Sequence, residues 1–109
     1  MAEKRRTERI RVNLRAHYRS DGMALEGRVS DLSSAGLFLR AEFLDELGTT
    51  VAVDLEVPGQ DLRLRLAGEV VRVDTRPLSA GMGIRFAGLE TRVRRDLANL
   101  VIERSYQPG

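Results

Sequence analysis

The chain of 109 residues lacks several residue types on which protein chemistry often depends. It contains no cysteine, which excludes disulfide bonds and thiolate chemistry. Its single histidine, His17, argues against a histidine-based metal site or a catalytic triad. Since no other catalytic constellation is present, we expect a protein that is not an enzyme and that needs no metal and no cofactor.

Long hydrophobic runs and aromatic residues are also scarce. No apolar run approaches the roughly 20 residues of a membrane-spanning helix, and the charged N-terminus is followed by no apolar signal segment. We therefore expect a cytoplasmic protein without a membrane span. Aromatic residues make up 5% of the chain. Barrels that hold single-stranded nucleic acid stack bases on exposed aromatics, so the scarcity disfavours nucleic-acid binding but leaves it open as an alternative.

Charge is small in total but concentrated near the start of the chain. The formal net charge is +2. Residues 1–15 hold six lysines and arginines against two glutamates, hence +4, and the remainder of the chain is net negative. A local cluster of this kind indicates a discrete site for an anion more than a broad nucleic-acid surface.

Alternation of apolar and polar residues dominates the sequence and predicts strands. Six such stretches lie at 10–19, 23–31, 37–40, 51–57, 62–73 and 82–86. The period changes to helical spacing over 89–104, with an apolar stripe at Val93, Leu97 and Leu100. Short strands followed by one helix predict a mainly β fold, an antiparallel six-stranded barrel whose open end or seam the helix covers. We expect a basic arm (1–9), the barrel with its helix (10–104) and a tail (105–109).

The predicted arm carries Arg5, Arg6 and Arg9 within five positions. A guanidinium group binds phosphate or a purine edge through two parallel hydrogen bonds and stacks on aromatic bases. An arm without an apolar anchor is expected to be flexible until an anion binds it. The alternative is a tail that serves only solubility.

The second motif is DLSSAG at residues 31–36, where the second strand ends. The Asp31 carboxylate suits the paired N–H donors of a guanine edge, and Ser33 can donate and accept hydrogen bonds. Gly36 permits a positive φ and a close approach to the backbone. The alternative is a plain turn in which Asp31 and Ser33 bond their own backbone. In a hairpin of the first two strands, residue 9 and this turn lie at the same end of the barrel.

These two motifs together resemble the PilZ domain family, bacterial modules that bind the second messenger cyclic di-GMP. RRTER at 5–9 matches the R-x-x-x-R part of the family signature, and DLSSAG matches its [D/N]-x-S-x-x-G part. GLFL at 36–39 and GMGIRF at 81–86 extend the resemblance over about residues 4–104. The family fold is a six-stranded barrel with a C-terminal helix, in agreement with the alternation.

The resemblance implies a cyclic di-GMP receptor without enzymatic activity. The arginines would hold phosphates and guanine faces, the acidic turn would bind a guanine edge, and a downstream protein partner would read the bound state in motility or biofilm control. An interaction module that works without ligand is the other alternative. The implied ligand contacts are Arg5, Arg6, Arg9, Asp31, Ser33 and Gly36, with Lys4 and Arg85 as further candidates.

Overall fold

Six strands and one helix follow one another within residues 9–105, the part of the chain that the computed structural model describes. Each predicted element is present, and its bounds differ from the prediction by at most two residues. The elements are β1 (Ile10–Arg19), β2 (Ala24–Leu32), β3 (Gly36–Arg40), β4 (Thr50–Val57), β5 (Leu62–Asp74), β6 (Gly81–Phe86) and α1 (Thr91–Ser105).

The strands form a closed barrel in the order β1-β2-β3-β6-β5-β4, and every neighbouring pair is antiparallel. Pairing of β1 with β4, in which Ala16 lies opposite Leu55, closes the sheet on itself. Closure removes unpaired strand edges, which would otherwise expose backbone donors and acceptors. The predicted mainly β barrel with a C-terminal helix is therefore confirmed.

Side chains that alternate along the strands fill the barrel. Inward positions are apolar and almost fully buried; Leu14, Val53 and Leu66 show at most 1% exposure. Tyr18 is the largest of these buried side chains, and its hydroxyl donates a hydrogen bond of 2.5 Å to the Asp45 carboxylate at the end of the barrel where β1 finishes. Burial and this acceptor raise the pKa of the Tyr18 phenol well above its ordinary value.

Helix α1 closes the other end of the barrel. Leu97, Leu100 and Val101 belong to the same buried core as the strands, and the helix contacts β1 and β5. Because β1 and β5 both begin at this end, the helix lies across the barrel mouth rather than along a single seam. The apolar stripe of the helix therefore covers the core at this end of the barrel.

Of the three register irregularities in the described strands, which lie in β1, β2 and β5, the β-bulges in β2 and β5 determine which side chains face the site. In β2, Val29 pairs with Leu39 and Asp31 with Phe38, so Ser30 is an extra residue. In β5, Val70 pairs with Ile84 and Arg72 with Gly83, so Val71 is extra. A bulge places two successive residues on one face of a strand. Each bulge therefore turns outward a residue that strict alternation would direct into the core.

A buried carboxylate at the end of β5 gives a pH-dependent prediction. The Asp74 side chain, 8% exposed, accepts hydrogen bonds from the Arg76 backbone N–H (3.0 Å), from its guanidinium (2.7 Å) and from the Ser79 hydroxyl (3.1 Å). These donors hold the pKa of Asp74 well below its usual range. The carboxylate therefore stabilises the fold above its unfolded pKa of about 3.9 and loses this effect as the pH falls through the lower folded value.

We expect Asp74→Asn to lower the thermal midpoint at neutral pH, and the difference from the wild type to shrink as the pH is lowered below about 4. Thermal unfolding followed by circular dichroism over an acidic pH series measures this. Asp21→Asn, in an exposed turn, is the matched control. A difference between wild type and Asp74→Asn that stays constant with pH would contradict the proposed role.

Candidate ligand-binding site

A cleft of about 270 Å³ lies at the outer face of the barrel, where β2 ends and β3 begins. Five of the residues predicted to bind a ligand line it: Arg9, Asp31, Ser33, Gly36 and Arg85. The other predicted contacts, Lys4, Arg5 and Arg6, lie outside the described residues. Arg9, the one residue of the first motif that the structure describes, thus lies beside the second motif.

Strand pairing explains why these distant residues converge. Ile10 lies opposite Leu32, so Arg9 is held next to the turn that follows β2. Gly36 lies opposite Arg85, and the Phe86 N–H donates to the Ala35 carbonyl at 2.9 Å. The turn is therefore fastened to β6 on one side, while the start of β1 flanks it on the other.

Within the turn, Ser33 holds the backbone in place. Its hydroxyl accepts hydrogen bonds from the N–H groups of Ala35 (3.1 Å) and Gly36 (3.2 Å), and its own N–H donates to the Gly36 carbonyl (2.9 Å). The side chain is 9% exposed. This is the turn-forming role that the sequence left open for Ser33, while its direct contact with a ligand stays a prediction.

Asp31 has a different environment from Ser33. The bulge at Ser30 directs the half-buried carboxylate of Asp31 outward. This carboxylate accepts one long hydrogen bond of 3.4 Å from the Ser30 hydroxyl. A carboxylate offers about four lone-pair sites, so acceptor capacity remains for a ligand. The backbone-bonded alternative considered for Asp31 is not the arrangement in the structure.

Gly36 is required for close strand packing rather than for an unusual backbone angle. A Cβ atom at this position would collide with the Ile84 carbonyl oxygen of β6. The described glycines with positive φ are Gly48, Gly59 and Gly88. Gly36 therefore does not use the positive φ that a glycine permits, because the requirement for glycine comes from the neighbouring strand and not from the turn.

Four residues stand side by side across the floor of the cleft, on neighbouring strands. Asp31 of β2 pairs with Phe38 of β3, Phe38 with Gly83 of β6, and Gly83 with Arg72 of β5. Val71, the extra residue of the second bulge, is also exposed and borders the row. The row places one acidic and one basic side chain on opposite sides of an aromatic ring.

The sequence analysis assigned none of Phe38, Val71 and Arg72 to the site. All three line the cleft. One signal was present: Gly81 and Gly83 are two residues apart on one strand, so the face of β6 that they share with Arg85 carries no side chain before Arg85. The strand order decides which large side chains cover these glycines, and the alternation of apolar and polar residues does not reveal the strand order.

The charges of the cleft favour an anion. Arg9, Arg72 and Arg85 line it with one acidic residue, Asp31. Arg85 also lies 3.5 Å from the Glu69 carboxylate of β5, and both side chains are well exposed, which makes this ion pair weak. Three arginines around one carboxylate suit a ligand that carries both negative charge and hydrogen-bond donors.

Metal-binding clusters and membrane-spanning helices would indicate other classes of function. Within residues 9–105, no group of three or more His, Cys, Asp or Glu side chains is arranged to hold a metal ion. In the same part of the chain, no helix has the length and apolar character needed to cross a membrane.

Fold and cleft together define a small β-barrel domain with an anion-attracting site on its outer surface. The family model for the PilZ domain matches residues 3–103, and the chain belongs to the PilZ domain family. Comparison with curated proteins gives no match.

Solved structures with the same fold include the PilZ domain of YcgR from Escherichia coli with c-di-GMP, at 16% identity and a TM-score of 0.74, covering 94% of this chain and 92% of that one. The PilZ domain of CeSA from a cellulose-synthesizing bacterium matches at 17% identity and a TM-score of 0.70, covering 91% and 99%. MotI/DgrA, the inhibitor of motility of Bacillus subtilis, matches at 15% identity and a TM-score of 0.74, covering 94% and 52%. The chain thus spans about half the length of MotI/DgrA and nearly all of the two isolated domains.

Proposed function

We propose that this chain is a receptor for cyclic di-GMP that binds the nucleotide in the outer cleft without transforming it. The observation that carries the proposal is that Arg9 of the first motif lines one cleft with Asp31 and Gly36 of the second. Membership of the PilZ family and the similarity to a YcgR domain with c-di-GMP support the choice of ligand.

The chemistry of the cleft suits each part of this nucleotide. Arg9, with Arg5 and Arg6 of the N-terminal arm, would bind the phosphates and the guanine faces, because guanidinium groups pair with phosphate and stack on bases. Asp31 would accept hydrogen bonds from a guanine edge. Ser33 would act by holding the turn that presents Asp31 and the backbone at Gly36.

The regulatory part of the proposal concerns residues 1–9. Ligand binding would fix this arginine-bearing arm against residues 10–104 and create a surface that a partner protein prefers. Such recruitment needs only that the partner bind the liganded form more tightly than the free form. The similarity to an inhibitor of motility supports motility as one regulated process. Biofilm formation is a second process that we propose. Protection of residues 1–9 from proteolysis on addition of cyclic di-GMP tests this step, and equal cleavage in both states would contradict it.

Isothermal titration with cyclic di-GMP tests the binding itself. A hydrogen bond to a charged group contributes roughly 1.5–3 kcal/mol, so Arg9→Ala is expected to weaken binding about 10- to 150-fold. Arg63→Ala is the matched control, because Arg63 is an exposed arginine of β5 that pairs with Glu56 at 3.6 Å and does not line the cleft. The control should bind like the wild type. Equal affinities of wild type and Arg9→Ala would contradict the assignment of Arg9.

The alternatives from the sequence make different predictions in the same titration. A nucleic-acid-binding barrel would bind single strands with an affinity that falls steeply with salt and shows no guanine selectivity. A ligand-independent interaction module would give no heat with cyclic di-GMP. Saturable, guanine-selective binding of cyclic di-GMP therefore separates the proposed function from both.

A further inference from the structure

Arg72 and Phe38 form a cation–π pair inside the cleft. The guanidinium carbon of Arg72 lies over the Phe38 ring, 5.2 Å from its centroid. Arg72 is exposed and Phe38 is half-buried, and both line the cleft together with Asp31. Because Arg72 is exposed, the side of its planar guanidinium group that is turned away from the ring is accessible to a ligand.

The geometry of β6 explains why the pair is held in this position. Gly83 lies between the two residues in the sheet, and a Cβ atom there would be 3.0 Å from the Arg72 Cβ. A Cβ atom on Gly81 would be 2.6 Å from the Phe38 ring. The two glycines thus leave a groove on β6, which the Phe38 ring and the aliphatic part of the Arg72 side chain cover.

The bulge in β5 completes the arrangement. Val70 points into the core, so a regular strand would direct Arg72 inward as well. The extra residue Val71 restores the outward direction and brings Arg72 opposite Gly83. Three local features, namely a bulge, a pair of glycines and an aromatic ring, therefore converge on one orientation of one guanidinium group.

We propose that Arg72, held over the Phe38 ring, is a binding residue on which a guanine base of the ligand stacks. This inference rests on the proposed function. Asp31 lies three strand positions from Arg72, about 14 Å at a spacing of about 4.8 Å, so their side chains face a ligand from opposite sides of the floor. Asp31 would bind the edge of a base, whereas Arg72 would bind a face.

Preorganisation gives this contact its strength. A free arginine loses side-chain freedom when it binds, but Arg72 is already positioned by the ring beneath it. Stacking against a cation contributes enough to change affinity roughly 5- to 30-fold when it is desolvated. The pair would also favour a purine over a smaller base, since a larger face covers more of the guanidinium plane.

Arg72→Lys is the sharpest test, because lysine keeps the positive charge and lacks the planar group. We expect it to weaken cyclic di-GMP binding roughly 5- to 30-fold while leaving the salt dependence of binding unchanged. Phe38→Leu should weaken binding in the same direction by removing the support under Arg72. The double variant should bind no more weakly than Arg72→Lys alone, because both substitutions remove the same contact between the guanidinium group and the base.

Arg65→Lys is the matched control, on the same strand but outside the cleft and paired with Asp54 at 2.9 Å. Titrations are run beside thermal unfolding of the ligand-free variants. If Arg72→Lys lowered the midpoint but bound cyclic di-GMP within twofold of the wild type, the pair would be purely structural and the inference would be overturned while the proposed function stood. If the wild type bound no cyclic di-GMP, both would fail.

Discussion

Leu97→Ala is expected to lower the free energy of unfolding by about 2–5 kcal/mol, because it leaves a cavity under the helix that closes the barrel. Leu97 is 0% exposed and belongs to the same buried core as the strands. A domain of this size is typically stable by about 5–15 kcal/mol, so the loss would be a large share of the total. Denaturant unfolding followed by circular dichroism measures it.

Ile102→Ala on the same helix is the matched control. Ile102 is 65% exposed, and alanine has a higher helix propensity than isoleucine, so stability should be unchanged or slightly higher. Equal midpoints for the two variants would show that α1 does not contribute to the core as described. The contrast isolates burial, because both substitutions shorten an apolar side chain in one helix.

Gly36→Ala is expected to reduce both stability and ligand affinity. The added Cβ would collide with the Ile84 carbonyl oxygen, which belongs to backbone and cannot rotate away as a flexible side chain can. Strands β3 and β6 would have to separate at the floor of the cleft, at a cost of about 1–3 kcal/mol. Since Arg85 and the turn lie at this junction, we expect cyclic di-GMP binding to fall by more than about tenfold.

Gly22→Ala provides the comparison for this change. A Cβ at Gly22 would meet no atom within 4 Å, so wild-type stability and binding are expected. Titration and thermal unfolding of both variants are measured side by side. Wild-type affinity in Gly36→Ala would refute the requirement for close packing at the cleft.

Much of the fold was predictable because it depends on local periodicity. Alternation over 10–19 and 51–57 requires one buried face and one exposed face, which a strand alone provides. The helical stripe at Leu97 and Leu100 likewise defined a single apolar face for α1. The helix begins at Thr91, two residues later than predicted, after Gly88 with its φ of 69°.

The candidate site was predictable only in part. Arg9 and Asp31 could be placed at one end because a hairpin brings the start of its first strand to the end of its second. The role of Ser33 within the turn was considered but not decided, since a hydroxyl suits a ligand and a backbone equally. Phe38 was missed because its neighbours Gly83 and Arg72 are more than thirty residues away in sequence.

The sequence by itself determined the strand and helix segments, the inward positions and the two motifs, because each of these follows from residue type and spacing along a short stretch of chain. Tertiary structure alone decided the strand order β1-β2-β3-β6-β5-β4, the bulges at Ser30 and Val71, and hence the outward directions of Asp31 and Arg72. These features arise from register between strands that are distant in sequence, and a shift of one residue in register reverses the face on which a side chain lies.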